Sequence, residues 1–254
     1  MKNYKYLIGW IGGKRLLRKI IAQIVPKDIK TYIEPFGGAG WVLFYKEKWA
    51  ELEIYNDLDN RLVNLFNVVK YHPCELARQM CYMLFSRKQF EQCLLNHSIT
   101  DIQKAAQFLF IVSHSFGANC ETFAVTKSSS IKSANGIIER IYEISKRLDK
   151  VLIENKSAFN LIKEYDNKNQ FFYLDPPYST GEGYRVCSTK DFKHKELAQL
   201  LKNIKGRFLL SYDDSELIRN LYKDFQIIEV ARQKGINNKD VKAKEYKELL
   251  IKNY

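Results

Sequence analysis

The chain is poor in the residues that build covalent or metal-stapled folds. It holds five cysteines, four histidines and five prolines in 254 residues. Cys74, Cys81, Cys93, Cys120 and Cys187 are odd in number and form no Cys-x-x-Cys pair. A disulfide framework and a structural zinc site are therefore not expected. The histidines have no metal-ligand spacing, so no metal is expected. The N-terminus carries no long apolar run, and neither does the rest of the chain. That argues against a signal peptide or membrane span, and an intracellular, cytoplasmic protein is the expectation. Internal repeats and low-complexity tails are also missing. Acidic charge is in deficit: 29 Asp and Glu stand against 41 Lys and Arg, a net charge of +12. Such an excess suits a polyanionic partner whose phosphates it can neutralise.

What is present centres on Gln170-Phe171-Phe172-Tyr173-Leu174-Asp175-Pro176-Pro177-Tyr178. The apolar run reads as a buried strand. Pro176 and Pro177 cannot donate to a sheet, so the strand stops at Asp175. An acid and an aromatic ring are thus presented at the carboxyl end of a strand, where ligands bind in open α/β sheets. An amine attached to an aromatic ring is a poor nucleophile, because its lone pair is delocalised. The Asp175 carboxylate and the Pro176 carbonyl can accept hydrogen bonds from its two N–H groups and draw the nitrogen towards tetrahedral geometry. Tyr178 can stack on the ring. A plain strand followed by a Pro-Pro turn is the competing reading.

Upstream, Thr31-Tyr32-Ile33-Glu34-Pro35-Phe36-Gly37-Gly38-Ala39-Gly40 reads as a short strand ending in a glycine-rich turn, with Trp41 to Lys48 helical. Strand, glycine turn and helix make a nucleotide-type βα unit, although the usual Gly-x-Gly-x-x-Gly is absent. The next strand ends at Asp57, seventeen residues after Gly40. An acid about 20 residues after such a turn can bind ribose hydroxyls. Capping the helix over Leu58 to Lys70 is its alternative role. Before all this, Trp10-Ile11-Gly12-Gly13-Lys14 precedes an apolar periodicity over Leu16 to Ile24, which places Lys14 near a helix N-terminus. It is not a P-loop.

These pieces, in this order, resemble the Dam-type (D12 class) DNA adenine-N6 methyltransferases. Asp-Pro-Pro-Tyr matches their catalytic motif, and Phe36, Gly38 and Gly40 match their S-adenosylmethionine loop. The resemblance spans nearly the whole chain. It implies a Rossmann-like, doubly wound α/β sheet with an inserted, mainly helical DNA-recognition domain. It implies Asp175, Pro176, Pro177 and Tyr178 as catalytic residues. Cofactor contacts follow at Trp10, Lys14, Phe36, Gly38, Gly40, Asp57 and Asp175. The expected reaction is site-specific methyl transfer from S-adenosylmethionine to adenine N6 in double-stranded DNA, with the base flipped from the stack. Cytosine N4 or an RNA amine is the alternative substrate, and a non-catalytic DNA-binding module the alternative class. No covalent intermediate is expected, so Cys187 is not needed as a nucleophile. Whether a restriction enzyme accompanies the protein is open.

The domain division expected is 1–70 with 150–254 for cofactor and catalysis, and 71–149 for target recognition. Within the latter, helices are expected near 75–84, 86–95 and 101–114. Thr122 to Thr126 reads as a possible strand. The segment Ser115 to Ser133, basic and hydroxyl-rich over Lys127 to Ser133, suits phosphate and base-edge contacts, giving Asn119, Thr126, Lys127, Ser128 and Lys132 as candidate DNA-binding residues. Beyond Asp175, the glycine-containing Ser179 to Val186 reads as a loop near the site. A helix over Asp191 to Lys205 closes at Gly206, and strands are expected at 208–212, 225–231 and 246–252. Basic residues in 232–239 suit phosphate contact. A monomer is expected.

Overall fold

The computed structural model describes residues 6–10, 12–14, 16–95, 97–124, 134–180, 192–232 and 246–254. Among the described residues seven strands form one sheet: β1 (Thr31–Glu34), β2 (Leu52–Asn56), β3 (Val151–Glu154), β4 (Gln170–Leu174), β5 (Arg207–Asp213), β6 (Gln226–Arg232) and β7 (Tyr246–Lys252). Their spatial order is β3-β2-β1-β4-β5-β7-β6. The pairs from β3 through β5 are parallel, and β7 runs antiparallel to both β5 and β6. The chain winds outwards from β1 through β2 to β3, then returns to β4 on the other side of β1. The β1/β4 boundary is therefore the switch point where a crevice opens at the carboxyl ends.

Alternation along each strand sends apolar side chains to both faces, as helices covering both faces require. Tyr32, Tyr55, Phe171, Tyr173, Leu209 and Leu250 share one cluster with Leu62, Phe66, Leu109 and Ile144. Their neighbours Ile33, Ile54, Phe172, Leu174, Leu210 and Ile251 pack on the opposite side with Leu161, Leu197 and Ile218. The first side is covered by α1 (Arg18–Ile24), α2 (Asn60–Tyr71), α3 (Pro73–Cys81), α5 (Asp101–His114) and α6 (Ala134–Leu148), with α4 (Arg87–Leu94) packed on α5. The second is covered by α7 (Ala158–Tyr165), α8 (His194–Lys202) and α9 (Glu216–Leu221). The doubly wound expectation thus holds. Among the described residues, no helix is long and apolar enough to cross a membrane.

Several local expectations change. The helix read over Trp41 to Lys48 shrinks to a 3₁₀ turn at Leu43–Tyr45. Trp49 interrupts it: its indole N–H donates to the carbonyls of Val42 and Leu43, capping the turn. The helix expected to 205 ends at Lys202, and Gly206 lies beyond it in the turn into β5, donating to Asp166 Oδ1 at 2.9 Å. Of the strand expected at 122–126, Phe123 makes an isolated antiparallel bridge to Ser115, and 125 onwards lies outside the described residues.

The helices of 71–149 pack against the sheet. They share its apolar cluster, and a buried ion pair joins them to it. Arg147 of α6 donates through Nη1 and Nη2 to both oxygens of Glu53 on β2, at 2.8 and 2.7 Å. It also donates to the carbonyls of Leu43 and Lys46, at 2.9 and 2.8 Å. The second interaction of Glu53 Oε1 is with the Trp49 N–H. Both side chains are almost fully buried, so loss of either strands the other in low dielectric. Arg147→Ala is therefore expected to lower unfolding free energy by about 3–5 kcal/mol, read from the denaturant midpoint. A loss below ~1 kcal/mol would contradict this account of the joint.

Candidate active site

A cavity of about 670 Å³ opens at the switch point, within the range of ligand sites. Its walls come from the ends of β1, β2, β3 and β4, from the segment before α1, and from the loop after α5. The candidates Trp10, Lys14, Phe36, Gly38, Asp57, Asp175 and Pro177 all line it. Gly40 and Tyr178 are not among the lining residues, though Tyr178 is partly exposed, and Pro176 is buried at the strand end. Asn119 lines the opposite rim. Thr126, Lys127, Ser128 and Lys132 lie outside the described residues, as do Cys187, most of the 179–186 loop and positions 233–239.

The glycine turn is held from several directions. Gly38 N donates to Asp57 Oδ2 at 2.8 Å, and its carbonyl accepts from the Tyr55 hydroxyl at 2.6 Å. The Trp10 ring closes over it, 3.3 Å from where a β-carbon would stand. Asp57 Oδ1 takes the Asp59 N–H at 2.8 Å, and it is Asp59, not Asp57, that caps α2 through the Arg61 N–H. The helix-cap reading of Asp57 is thereby removed. Burial raises its carboxyl to about 6 despite the two N–H donors. Each oxygen keeps further lone-pair capacity towards the cavity, which suits a vicinal diol.

At the end of β4, Asp175 Oδ1 accepts from Lys14 Nζ at 2.7 Å and from Ser211 Oγ at 2.9 Å. No described residue bonds Oδ2. Burial pushes the carboxyl up, and the Lys14 charge with the Lys14 and Ser211 hydrogen bonds pulls it back. Lys14 stands just before α1, as expected, with its carbonyl accepting the Arg18 N–H at 2.8 Å, but its side chain does not serve the helix end. Its ammonium instead sits 4.6 Å above the Tyr178 ring and donates to the Gly12 carbonyl at 3.0 Å. One cation thus touches both ends of the Asp-Pro-Pro-Tyr motif.

Sequence reading missed several contributors. Glu34 lines the cavity, nearly fully buried, with Tyr32 donating to its Oε1 at 2.6 Å. Burial raises it to about 8. Its signal was a lone acid in an otherwise uncharged buried strand. Phe192 also lines the cavity, edge-on to Phe36 and near Phe159, and no pattern marked it. On the rim, Asn119 Oδ1 accepts the N–H groups of Glu121 and Thr122, so its carbonyl shapes its own loop. That loop is strained: Ala118 and Cys120, which are not glycine, have φ of 60°.

Two positive-φ glycines separate backbone strain from packing. Gly40 has φ +65° and a β-carbon there would meet the Phe44 ring at 2.5 Å, whereas Gly117, at +58°, has open space. Gly117→Ala is expected to cost about 1–2 kcal/mol for the left-handed backbone, and Gly40→Ala about 1–3 kcal/mol more from overpacking. Equal losses in urea melts would rule out the clash with the Phe44 ring as a separate cost.

The model of the family "D12 class N6 adenine-specific DNA methyltransferase" matches residues 10–236. Type II methyltransferase M.MjaIII of Methanocaldococcus jannaschii is 26% identical, covering 98% of this chain and 99% of that protein. Type II methyltransferase M1.LlaDCHI of Lactococcus lactis is 24% identical over 99% and 96%, and the DNA adenine methylase of Haemophilus influenzae 25% identical over 98% and 93%. With the family model matched over most of its length, the chain belongs to the D12 class of N6 adenine-specific DNA methyltransferases.

Proposed function

We propose that this adenine-N6 methyltransferase binds S-adenosylmethionine in the switch-point cavity and works on a base flipped out of double-stranded DNA, with Asp175, Pro176, Pro177 and Tyr178 as its catalytic residues. The observation that carries this is the Asp175 carboxylate, which is tied at Oδ1 by Lys14 and Ser211 while Oδ2 has no bond to a described residue. The fit to the methyl donor rests on the donor set around the cavity: a carboxylate for a diol, buried acids for cationic groups, and rings for a purine. Asp57 would hold the ribose hydroxyls. Trp10, Lys14, Phe36, Gly38 and Asp175 line the methionine side, Gly40 supports the turn, and Phe36, Phe159 and Phe192 suit the adenine. When bound, the cofactor supplies a methyl group on a sulfonium, already an activated leaving group.

The protein's part is positioning. Asp175 Oδ2 and the Pro176 carbonyl accept the two N–H groups of the target amine, which localises its lone pair for in-line attack on the methyl carbon. Tyr178 offers a ring face to the base. The attacking nitrogen must shed a proton, and Asp175 is placed to accept it.

The region 71–149 is read as the target-recognition part, and 1–70 with 150–254 as the cofactor and catalytic part. Asn119, Thr126, Lys127, Ser128 and Lys132 are the proposed DNA contacts, acting as a monomer along a basic surface. Target recognition at a defined site follows the relatives named type II methyltransferases.

Asp175→Ala is expected to abolish methylation of unmethylated plasmid and to lower the unfolding midpoint, because the buried Lys14 ammonium loses its partner; circular dichroism checks that the variant is folded at the assay temperature. Nucleoside analysis with isotopically labelled donor reads this directly. N4-methylcytosine as the labelled product would overturn the base assignment, and normal turnover by the variant would overturn the role of Asp175. For Asp57, ribose binding needs the ionised carboxylate. Donor affinity by calorimetry should therefore fall as pH drops through about 6, and Asp57→Ala should weaken binding and flatten that dependence. Unchanged affinity in Asp57→Ala would exclude the ribose role.

A further inference from the structure

The motif Asp175-Pro176-Pro177-Tyr178 is gripped from behind by two neighbouring strands. Ser211 and Asp213 stand two residues apart on β5, so their side chains leave the same face. In the antiparallel register Asp213 lies opposite Glu248 of β7, and Ser211 opposite Leu250. Directly opposed residues project to one side, so Ser211, Asp213 and Glu248 form a row. All three are polar and buried in the sheet.

Each member of the row takes a different part of the loop leaving β4. Ser211 Oγ donates to Asp175 Oδ1 at 2.9 Å. The Tyr178 hydroxyl donates to Glu248 Oε2 at 2.9 Å. Asp213 accepts the Ser179 N–H at 2.7 Å, the Ser179 hydroxyl at 2.6 Å and the Thr180 hydroxyl at 2.9 Å. Two prolines between Asp175 and Tyr178 stiffen the span. Fixing its ends fixes where the carboxylate and the ring stand relative to one another.

We propose that Ser211 and Glu248 are positioning residues for methyl transfer: Ser211 turns the Asp175 carboxylate so that Oδ2 meets the target amine, and Glu248 tethers the Tyr178 ring that stacks on the base. This rests on the reading of Asp175 as the catalytic carboxylate. Asp213 anchors the chain just beyond. Neither positioning residue touches substrate, and each acts through the group it holds.

The two differ in sign on Asp175. Groups facing its carboxylate are Lys14 from the segment before α1, Glu34 of β1, Tyr173 of β4, Tyr178 of its own loop, Tyr212 of β5 and Glu248 of β7. Ser211 favours the ionised form by donating to it, and the Glu248 charge opposes ionisation. Turnover that needs the carboxylate ionised falls on the acid side. Loss of Ser211 should move that acid limb to higher pH, and loss of the Glu248 charge should move it to lower pH.

The test uses the full chain with unmethylated duplex DNA. Ser211→Ala is expected to lower the single-turnover methylation rate about tenfold, as loss of a hydrogen bond to a charged group does, with KM for DNA and donor little changed and the acid limb displaced upwards. Glu248→Gln keeps an acceptor for Tyr178 and should displace the limb downwards. Glu248→Ala and Tyr178→Phe break one bond from its two ends, so the double variant should lose no more than either alone. Unmoved limbs, displacements of the same sign, or additive losses would overturn the proposal. Should Ser211→Ala fail to fold, the Glu248→Gln profile and the Glu248–Tyr178 cycle decide alone. Asp175→Ala is run beside them: if it retains turnover, the catalytic reading itself fails, whereas a dead Asp175→Ala beside wild-type-like Ser211→Ala and Glu248 variants defeats only the positioning inference.

Discussion

A carboxylate enclosed at the end of β4 must keep its charge, and much of the site is arranged around that constraint. Burial drives Asp175 towards its neutral form, in which it is a poorer acceptor. The remedy is local: one buried ammonium and one hydroxyl, both on Oδ1. Because Lys14 also lies over Tyr178, the same cation organises acid and ring together. An ion pair so enclosed is costly to break, since the surviving charge would be stranded. That explains why a residue distant in sequence belongs to the site as closely as the motif itself.

The cofactor side obeys a related logic. Gly38 is bonded through its N–H to Asp57 and through its carbonyl to Tyr55, with Trp10 over its α-carbon. The turn is thus shaped by the protein in advance, which reduces the ordering a ligand must impose. Glu53 and Arg147 extend this rigidity into α6. The helices of 71–149 and the sheet share one core.

Much of this was legible in the sequence because strong local signals marked it. Pro176 and Pro177 end a strand wherever they stand, and Gly38 and Asp57 announce a nucleotide-type crossover by type and spacing. The sheet's two-sided burial followed from uninterrupted apolar runs such as Phe171 to Leu174. What stayed hidden depends on tertiary register. Ser211 and Glu248 are ordinary residues in their own strands, and only the pairing of β5 with β7 brings them behind the motif. Lys14 was rightly placed just before α1, but nothing local shows that its ammonium reaches Asp175 at the end of β4. Trp41 to Lys48 had helical composition, yet the Trp49 indole took two of its carbonyls. Asp57 and Asp59 are equally good caps by type, and the choice between them is made by Gly38.

The place of β7 in the sheet has a consequence for biosynthesis. It follows every other described strand in sequence but lies between β5 and β6. Until it inserts, those two strands have no partner on their facing edges, and the row behind the motif lacks Glu248. A chain that stops short of β7 can pair β1 with β2 and β4, but its Tyr178 hydroxyl lacks the Glu248 acceptor.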